Sequence, residues 1–95
     1  MKARYTAIIE PNVSGRYYAH VPDLPGCVTS GRNLKEAIDM ITDAANLWLV
    51  SAEDHHDSIP VPTDWRDLKN LEAVTMTTIS VDTFAYRADI EAENE

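Results

Sequence analysis

The chain has 95 residues, a formal net charge of −8 and 44% hydrophobic residues. That supports one domain with a single modest core. The acidic balance argues against free binding to nucleic acid, where a basic footprint is expected, and favours a basic partner or plain solubility. Cys27 is the only cysteine, so an internal disulfide and a cysteine-pair metal site are excluded and a reducing compartment is expected. No apolar signal region or membrane-length apolar run is visible, and a cytoplasmic location is the expectation.

From Ala3 to Ile9 the side chains alternate. Ala3, Tyr5, Ala7 and Ile9 share one face, and Arg4, Thr6, Ile8 and Glu10 the other. Pro11-Asn12-Val13-Ser14-Gly15 has turn chemistry. Alternation resumes from Arg16 to Val21, with Tyr17, Ala19 and Val21 opposed to Tyr18 and His20, so the pair predicts an antiparallel hairpin. Pro22-Asp23-Leu24-Pro25-Gly26 then predicts a rigid, extended crossover. Each proline fixes its own φ and restricts the residue before it, and Gly26 permits a turn. Cys27 to Ser30 is a short third strand, broken by Gly31-Arg32-Asn33.

Asn33 is a good N-cap, with Glu36 three residues on as its capping-box acid. Leu34, Ala37, Ile38, Ile41, Ala44, Ala45, Trp48 and Ala52 recur at helical spacing, which predicts an amphipathic helix over 34–52. A polar loop, Glu53 to Ser58, leads to Ile59-Pro60-Val61-Pro62, which the prolines hold extended. Thr63 is placed to cap a short helix through Trp65, Leu68 and Leu71. Val74 to Thr83 is rich in β-branched residues and predicts a fourth strand. Residues 89–95 alternate acids with small residues and are expected to fray. The order β-β-β-α-(α)-β predicts an α+β fold with one main helix packed on one face of a mixed sheet. The last strand is expected to run parallel to a neighbour through a right-handed crossover, and one sheet edge to stay open for another chain.

Candidate chemistry is sparse. Asp54-His55-His56-Asp57 is the densest group of possible ligands, but adjacent histidines diverge in a strand or a helix and no zinc spacing is present. A solvated loop is the expected role. Cys27 lacks an identifiable base and orienting group; His20 is the nearest histidine in sequence, and a buried structural thiol is expected. Glu10, Asp39 and Asp82 are the acids that a metal-dependent nuclease of ribonuclease-H-like fold would have to gather. No acid stands in the middle of strand one, and surface solvation accounts for these three. Tyr5, Tyr17 and Tyr18 could stack bases, but without a basic groove packing is the expected role. No phosphate-binding glycine loop is present.

The combination of motifs is more specific than any one of them. Tyr5-x-Ala7-x-Ile9-x-Pro11 and Gly15-x-Tyr17-x-Ala19 precede Pro22-Asp23-Leu24-Pro25-Gly26-Cys27. Gly31-x-x-Leu34-x-Glu36-Ala37 opens the helix, and Pro60-x-Pro62 follows it. This chain resembles the HicB-type antitoxin family over about Ala3 to Pro62 and the fourth strand. The resemblance implies a degenerate ribonuclease-H-like domain over residues 1–86 with no nuclease activity, followed by an acidic tail over 87–95. It implies no catalytic residue, metal or cofactor. The partner implied is a small basic HicA-like ribonuclease toxin, with a double-stranded-RNA-binding-like fold and a catalytic histidine, whose active site the antitoxin covers. Self-association as a dimer or tetramer is also implied. The toxin-contacting residues are not legible; Asp23, as an exposed acid, is a candidate. Many members add a C-terminal ribbon-helix-helix or helix-turn-helix segment that binds operator DNA. Here Thr83 to Glu95 is short and acidic with Arg87 its only base, so operator binding is not expected and a stand-alone member is implied. A homo-oligomeric domain without a toxin, and a metal-dependent nuclease, remain the alternatives.

Overall fold

The computed structural model describes residues 1–68 and 75–93. Strands β1 (Lys2–Pro11), β2 (Tyr17–His20), β3 (Val28–Gly31) and β4 (Thr75–Asp82) form one sheet in the order β3-β2-β1-β4. Helix α1 (Leu34–Asp54) packs on one face, a single 3-10 turn spans Trp65–Asp67, and helix α2 (Thr83–Glu93) follows β4. The α+β class and the hairpin-then-helix order are as the periodicities predict.

The core lies between α1 and the sheet. Tyr5, Ala7 and Ile9 of β1, Ala19 of β2, and Ile79 and Val81 of β4 face Ala37, Ile41, Ala45 and Leu49 of α1. Ile41 and Leu49 are wholly buried. Truncating either to alanine costs about 2–5 kcal/mol, a large part of the ~5–15 kcal/mol that holds a domain folded. The seam is close because its residues are small. A Cβ placed on Gly31 would stand 2.5 Å from the Ala37 backbone nitrogen, so β3 can lead into α1 only through a glycine. The Asn33 side chain accepts the Glu36 N–H at 2.8 Å, and Glu36 accepts from the Arg32 N–H at 3.1 Å. Asn33 therefore caps the helix as the sequence predicts, while Glu36 reaches back one residue further than in a capping box, to Arg32.

One expectation about the sheet is overturned. β4 runs antiparallel to β1, from Thr75 opposite Ile9 to Asp82 opposite Lys2, so all strand pairs are antiparallel and the sheet is not mixed. The cause is the connection after α1. The helix ends near the start of β1, where Glu53 lies 3.6 Å from the Met1 nitrogen. The Tyr5 hydroxyl donates to the Pro60 carbonyl at 2.6 Å, and Asp23 accepts from the Thr63 N–H at 2.8 Å and from its hydroxyl at 2.5 Å. These bonds hold the chain at that end through Thr63, yet it enters β4 at the opposite end and must then run back. Burial, and then the nearby charge of Asp23, push the Tyr5 phenol above its usual pKa, so it remains a donor.

Two smaller expectations also change. Thr63 is bound to Asp23 and does not cap a helix; Asp64 caps the short turn at Trp65–Asp67 instead. Leu71 and Val74 lie outside the described residues. The acidic stretch expected to fray is helical through Glu93. The Asp82 carboxylate accepts the Ala85 N–H at 3.0 Å and caps α2, while Arg87 reaches Glu53 at 3.1 Å and Asp54 at 2.9 Å.

Two predictions follow from this packing. Gly31→Ala lowers stability by about 1–3 kcal/mol through overpacking, read as a lower urea midpoint at unchanged slope. For Glu53, burial pushes the carboxyl up, but hydrogen bonds from Arg87 and Thr83 outweigh it and leave the pKa lowered. The stability it contributes is complete above the unfolded value of about 4.3 and is lost as pH falls through the folded value. Melting temperature should therefore fall with acid, with a shallower fall in Glu53→Gln.

Candidate partner-binding surface

Among the described residues, the second face of the sheet carries no α-helix. Alternation places Arg4, Thr6, Ile8 and Glu10 of β1 on it, with Tyr18 and His20 of β2, Val28 and Ser30 of β3, and Met76, Thr78 and Ser80 of β4. Strand register aligns Met76, Ile8, His20 and Val28 in one row across all four strands. Tyr18 sits in the next row, between Glu10 and Ser30. Val28 is 66% exposed and Tyr18 54%. Trp65, 59% exposed, borders the same face beside Thr6, Met76 and Thr78.

This apolar row does not stop at the sheet edge. Val28 also lines a shallow groove with Gly26, Cys27, Leu47 and Trp48 between β3 and α1. Leu47 is exposed. The Trp48 indole N–H donates to the Pro25 carbonyl at 2.8 Å, which fixes the crossover against the helix. The result is an apolar band that crosses the open face and turns around β3 onto α1. On this face Val28 and Tyr18 are exposed, Ile8, His20 and Met76 are half-buried, and Thr6 is buried beside Trp65; the exposed part of the band makes it the candidate docking surface.

The residues singled out for chemistry are not gathered. Glu10 and Asp82 lie at opposite ends of the β1–β4 pair, about 27 Å apart by strand rise. Asp39 is on α1 and pairs with Lys35 at 2.8 Å. Asp82 is engaged as the cap of α2. Hydrogen bonding to the Ala85 N–H, with Lys2 nearby, holds its pKa below the usual carboxylate range. The three acids therefore cannot share a metal ion in this fold, which overturns that nuclease arrangement. Asp23 is half-buried and occupied by Thr63, which removes it as a freely exposed partner contact.

Asp54-His55-His56-Asp57 is a helix terminus. The His56 N–H donates to the Glu53 carbonyl at 3.1 Å and the Asp57 N–H to the Ala52 carbonyl at 2.9 Å. His56 has φ of 56°. This is the two-bond Schellman cap, with histidine in the left-handed position where glycine is usual. Among the described residues, no three histidine, cysteine or carboxylate groups are placed to hold a metal ion. Burial pushes the Cys27 thiol up, which makes it a poor nucleophile. His20 points to the open face while Cys27 lies in the core. Pro22 to Gly26 is not the extended crossover expected but two successive turns, with the Leu24 N–H donating to the Val21 carbonyl and the Cys27 N–H to the Leu24 carbonyl, each at 3.0 Å; the Val21 N–H closes the loop on the Cys27 carbonyl at 3.1 Å and Gly26 has φ of 80°.

A profile of the family described as the HicB-like antitoxin of bacterial toxin-antitoxin systems matches residues 5–94. The chain belongs to that family. It is 40% identical over 57 residues to a UPF0150 protein of Thermoplasma acidophilum, across 60% of this chain and 83% of that one. Its fold superposes with a TM-score of 0.80 on a chain of a toxin-antitoxin complex from Streptococcus pneumoniae, at 20% identity over 90% of this chain and 73% of the other. The N-terminal domain of the antitoxin HicB of Burkholderia pseudomallei superposes with a TM-score of 0.74, at 15% identity over 84% of this chain and 99% of that domain. Within a HicB-like fold, the exposed Tyr18 and Val28 and the continuation of the band around β3 to Leu47 are apolar surface that the described residues leave uncovered.

The cap makes a direct prediction. His56→Gly relieves the left-handed strain of about 1 kcal/mol and raises the melting temperature by about 4–8 °C, measured by circular dichroism.

Proposed function

We propose that this protein is a non-catalytic antitoxin of a type II toxin-antitoxin system. It binds a small basic HicA-like ribonuclease toxin through the apolar band and covers the toxin's active site. The observation that carries this is the Met76–Ile8–His20–Val28 row on a face that carries no α-helix among the described residues, in a chain of the HicB-like family. A net charge of −8 suits a basic partner, because complementary charge speeds encounter and competes with RNA phosphates. The apolar band then supplies the buried contacts that slow dissociation.

The chain acts in the cytoplasm, as a dimer or higher oligomer. Among the described residues no helix is long and apolar enough to cross a membrane. Operator DNA is not a partner of α2 on this proposal. Arg87, the only base of that segment, is committed to Glu53 and Asp54. One observation favours the homo-oligomeric alternative: β4 is an unpaired edge among the described residues, and that edge serves self-association with or without a toxin.

The test is co-expression with the small basic protein encoded beside this gene. A stoichiometric complex and restored growth are expected. Val28→Asp places a charge in the band and weakens the complex by about 30-fold, the scale of an interface hot spot, whereas Lys35→Ala on the outer face of α1 changes it little. No complex with a toxin encoded there, or a Val28→Asp variant that binds as tightly as the parent, would contradict the proposal.

A further inference from the structure

The groove between β3 and α1 is open because its walls are small or fixed. It encloses about 430 Å³. Gly26 and Cys27 before β3, and Ala44, Ser51 and Ala52 on α1, put no large side chain into it. Of the larger lining residues, Val28 and Leu47 are exposed at its mouth. Trp48 could fill it, but Trp48 is held. Its indole N–H donates to the Pro25 carbonyl at 2.8 Å, which keeps the ring as a wall. A groove with walls already fixed loses little freedom when another chain fills it.

One charge stands at the rim. Asp57 lines the groove and is exposed. The cap of α1 sets its place, since the Asp57 N–H donates to the Ala52 carbonyl at 2.9 Å, one residue after the left-handed His56. The neighbouring acids are engaged: Glu53 and Asp54 pair with Arg87 at 3.1 and 2.9 Å. Among the described residues, no hydrogen bond or ion pair reaches the Asp57 carboxylate. The fold thus leaves an apolar slot with a free carboxylate beside it, in a molecule of net charge −8.

We propose that this groove receives a large apolar side chain of the basic partner, and that a lysine or arginine next to that side chain pairs with Asp57. The proposal rests on the antitoxin reading above and names the chemistry of the contact. Charge decides the occupant. A second copy of this chain would bring its own excess of acid to Asp57, and a neutral ligand would leave the carboxylate unpaired. A basic chain supplies both the apolar group and the cation. The apolar side chain carries most of the affinity, because binding energy concentrates in well-packed, desolvated pockets. The ion pair lies in water at the rim and mainly steers and orients. Val28 belongs to both the groove and the open face, so the partner straddles β3.

The test measures binding to the small basic protein encoded beside this gene. Ser51→Phe fills the groove from an exposed helical position and leaves the open face unchanged. It should weaken the complex by about 30-fold, the scale of one interface hot spot. Asp57→Asn should weaken it by about fivefold, the upper range for an exposed ion pair, and high salt should erase that difference. Asp39→Asn removes the same charge from the outer face of α1 and should change little. Against Asp57→Lys, one lysine or arginine of the partner changed to glutamate should restore binding. Circular dichroism checks that each variant is folded. A folded Ser51→Phe that binds as tightly as the parent, or equal losses in Asp57→Asn and Asp39→Asn, would overturn the proposal. If Val28→Asp still weakens the complex in that case, the antitoxin reading stands without it. A Ser51→Phe variant that keeps the partner but loses self-association would assign the groove to a second copy, which also overturns it. A parent chain that forms no complex removes both.

Discussion

The structure depends on one seam, where α1 lies against a single face of the sheet. Among the described residues one long helix serves four strands, so it covers one face and leaves Val28 and Tyr18 on the other exposed. The seam can close only because small residues line it. Ala7 and Ala19 on the sheet meet Ala37 and Ala45 on the helix, and Gly31 has no side chain at the point of closest approach. Larger residues there would lift the helix from the sheet and expose Ile41 and Leu49. The tightness of one face and the openness of the other are therefore two consequences of the same shortage of elements.

The charged groups mainly finish helix ends and hold loops. Glu36 and Asn33 cap the start of α1, Asp82 caps α2, and Arg87 ties α2 to the end of α1. Asp23 fixes the segment after the helix. With those acids engaged in structure, an active site built from them is lost. What remains at the surface is an apolar row in an acidic molecule, a pattern suited to docking on a basic protein.

Much of this was legible in the sequence because it is local. The alternation of Tyr5, Ala7 and Ile9, the helical spacing from Leu34 to Ala52, and the Asn33–Glu36 cap each need only a few neighbouring residues. The direction of β4 was not legible, because it depends on where the connection after α1 delivers the chain, and the bonds that hold that connection are long-range: Tyr5 on Pro60, 55 positions away, and Asp23 on Thr63, 40 positions away. No periodicity reports such bonds. The helical end was missed for a similar reason. Its acids favour fraying locally, but Asp82 and the Arg87 pairs hold it. The open-face residues could be sorted from the alternation, whereas the placement of Trp65 beside them and the turn of the band onto Leu47 needed the fold.

The central claim is that the apolar band is where the partner docks. The most direct measurement is a nitrogen-15 NMR titration of this protein with the toxin encoded beside its gene. Docking through the band should shift the amide signals of Tyr18, His20, Val28 and Leu47 together at a one-to-one ratio, while those of Lys35, Asp39 and Ala88 stay in place. Shifts confined to α2 and the outer face of α1, with the β2 and β3 signals unmoved, would contradict it.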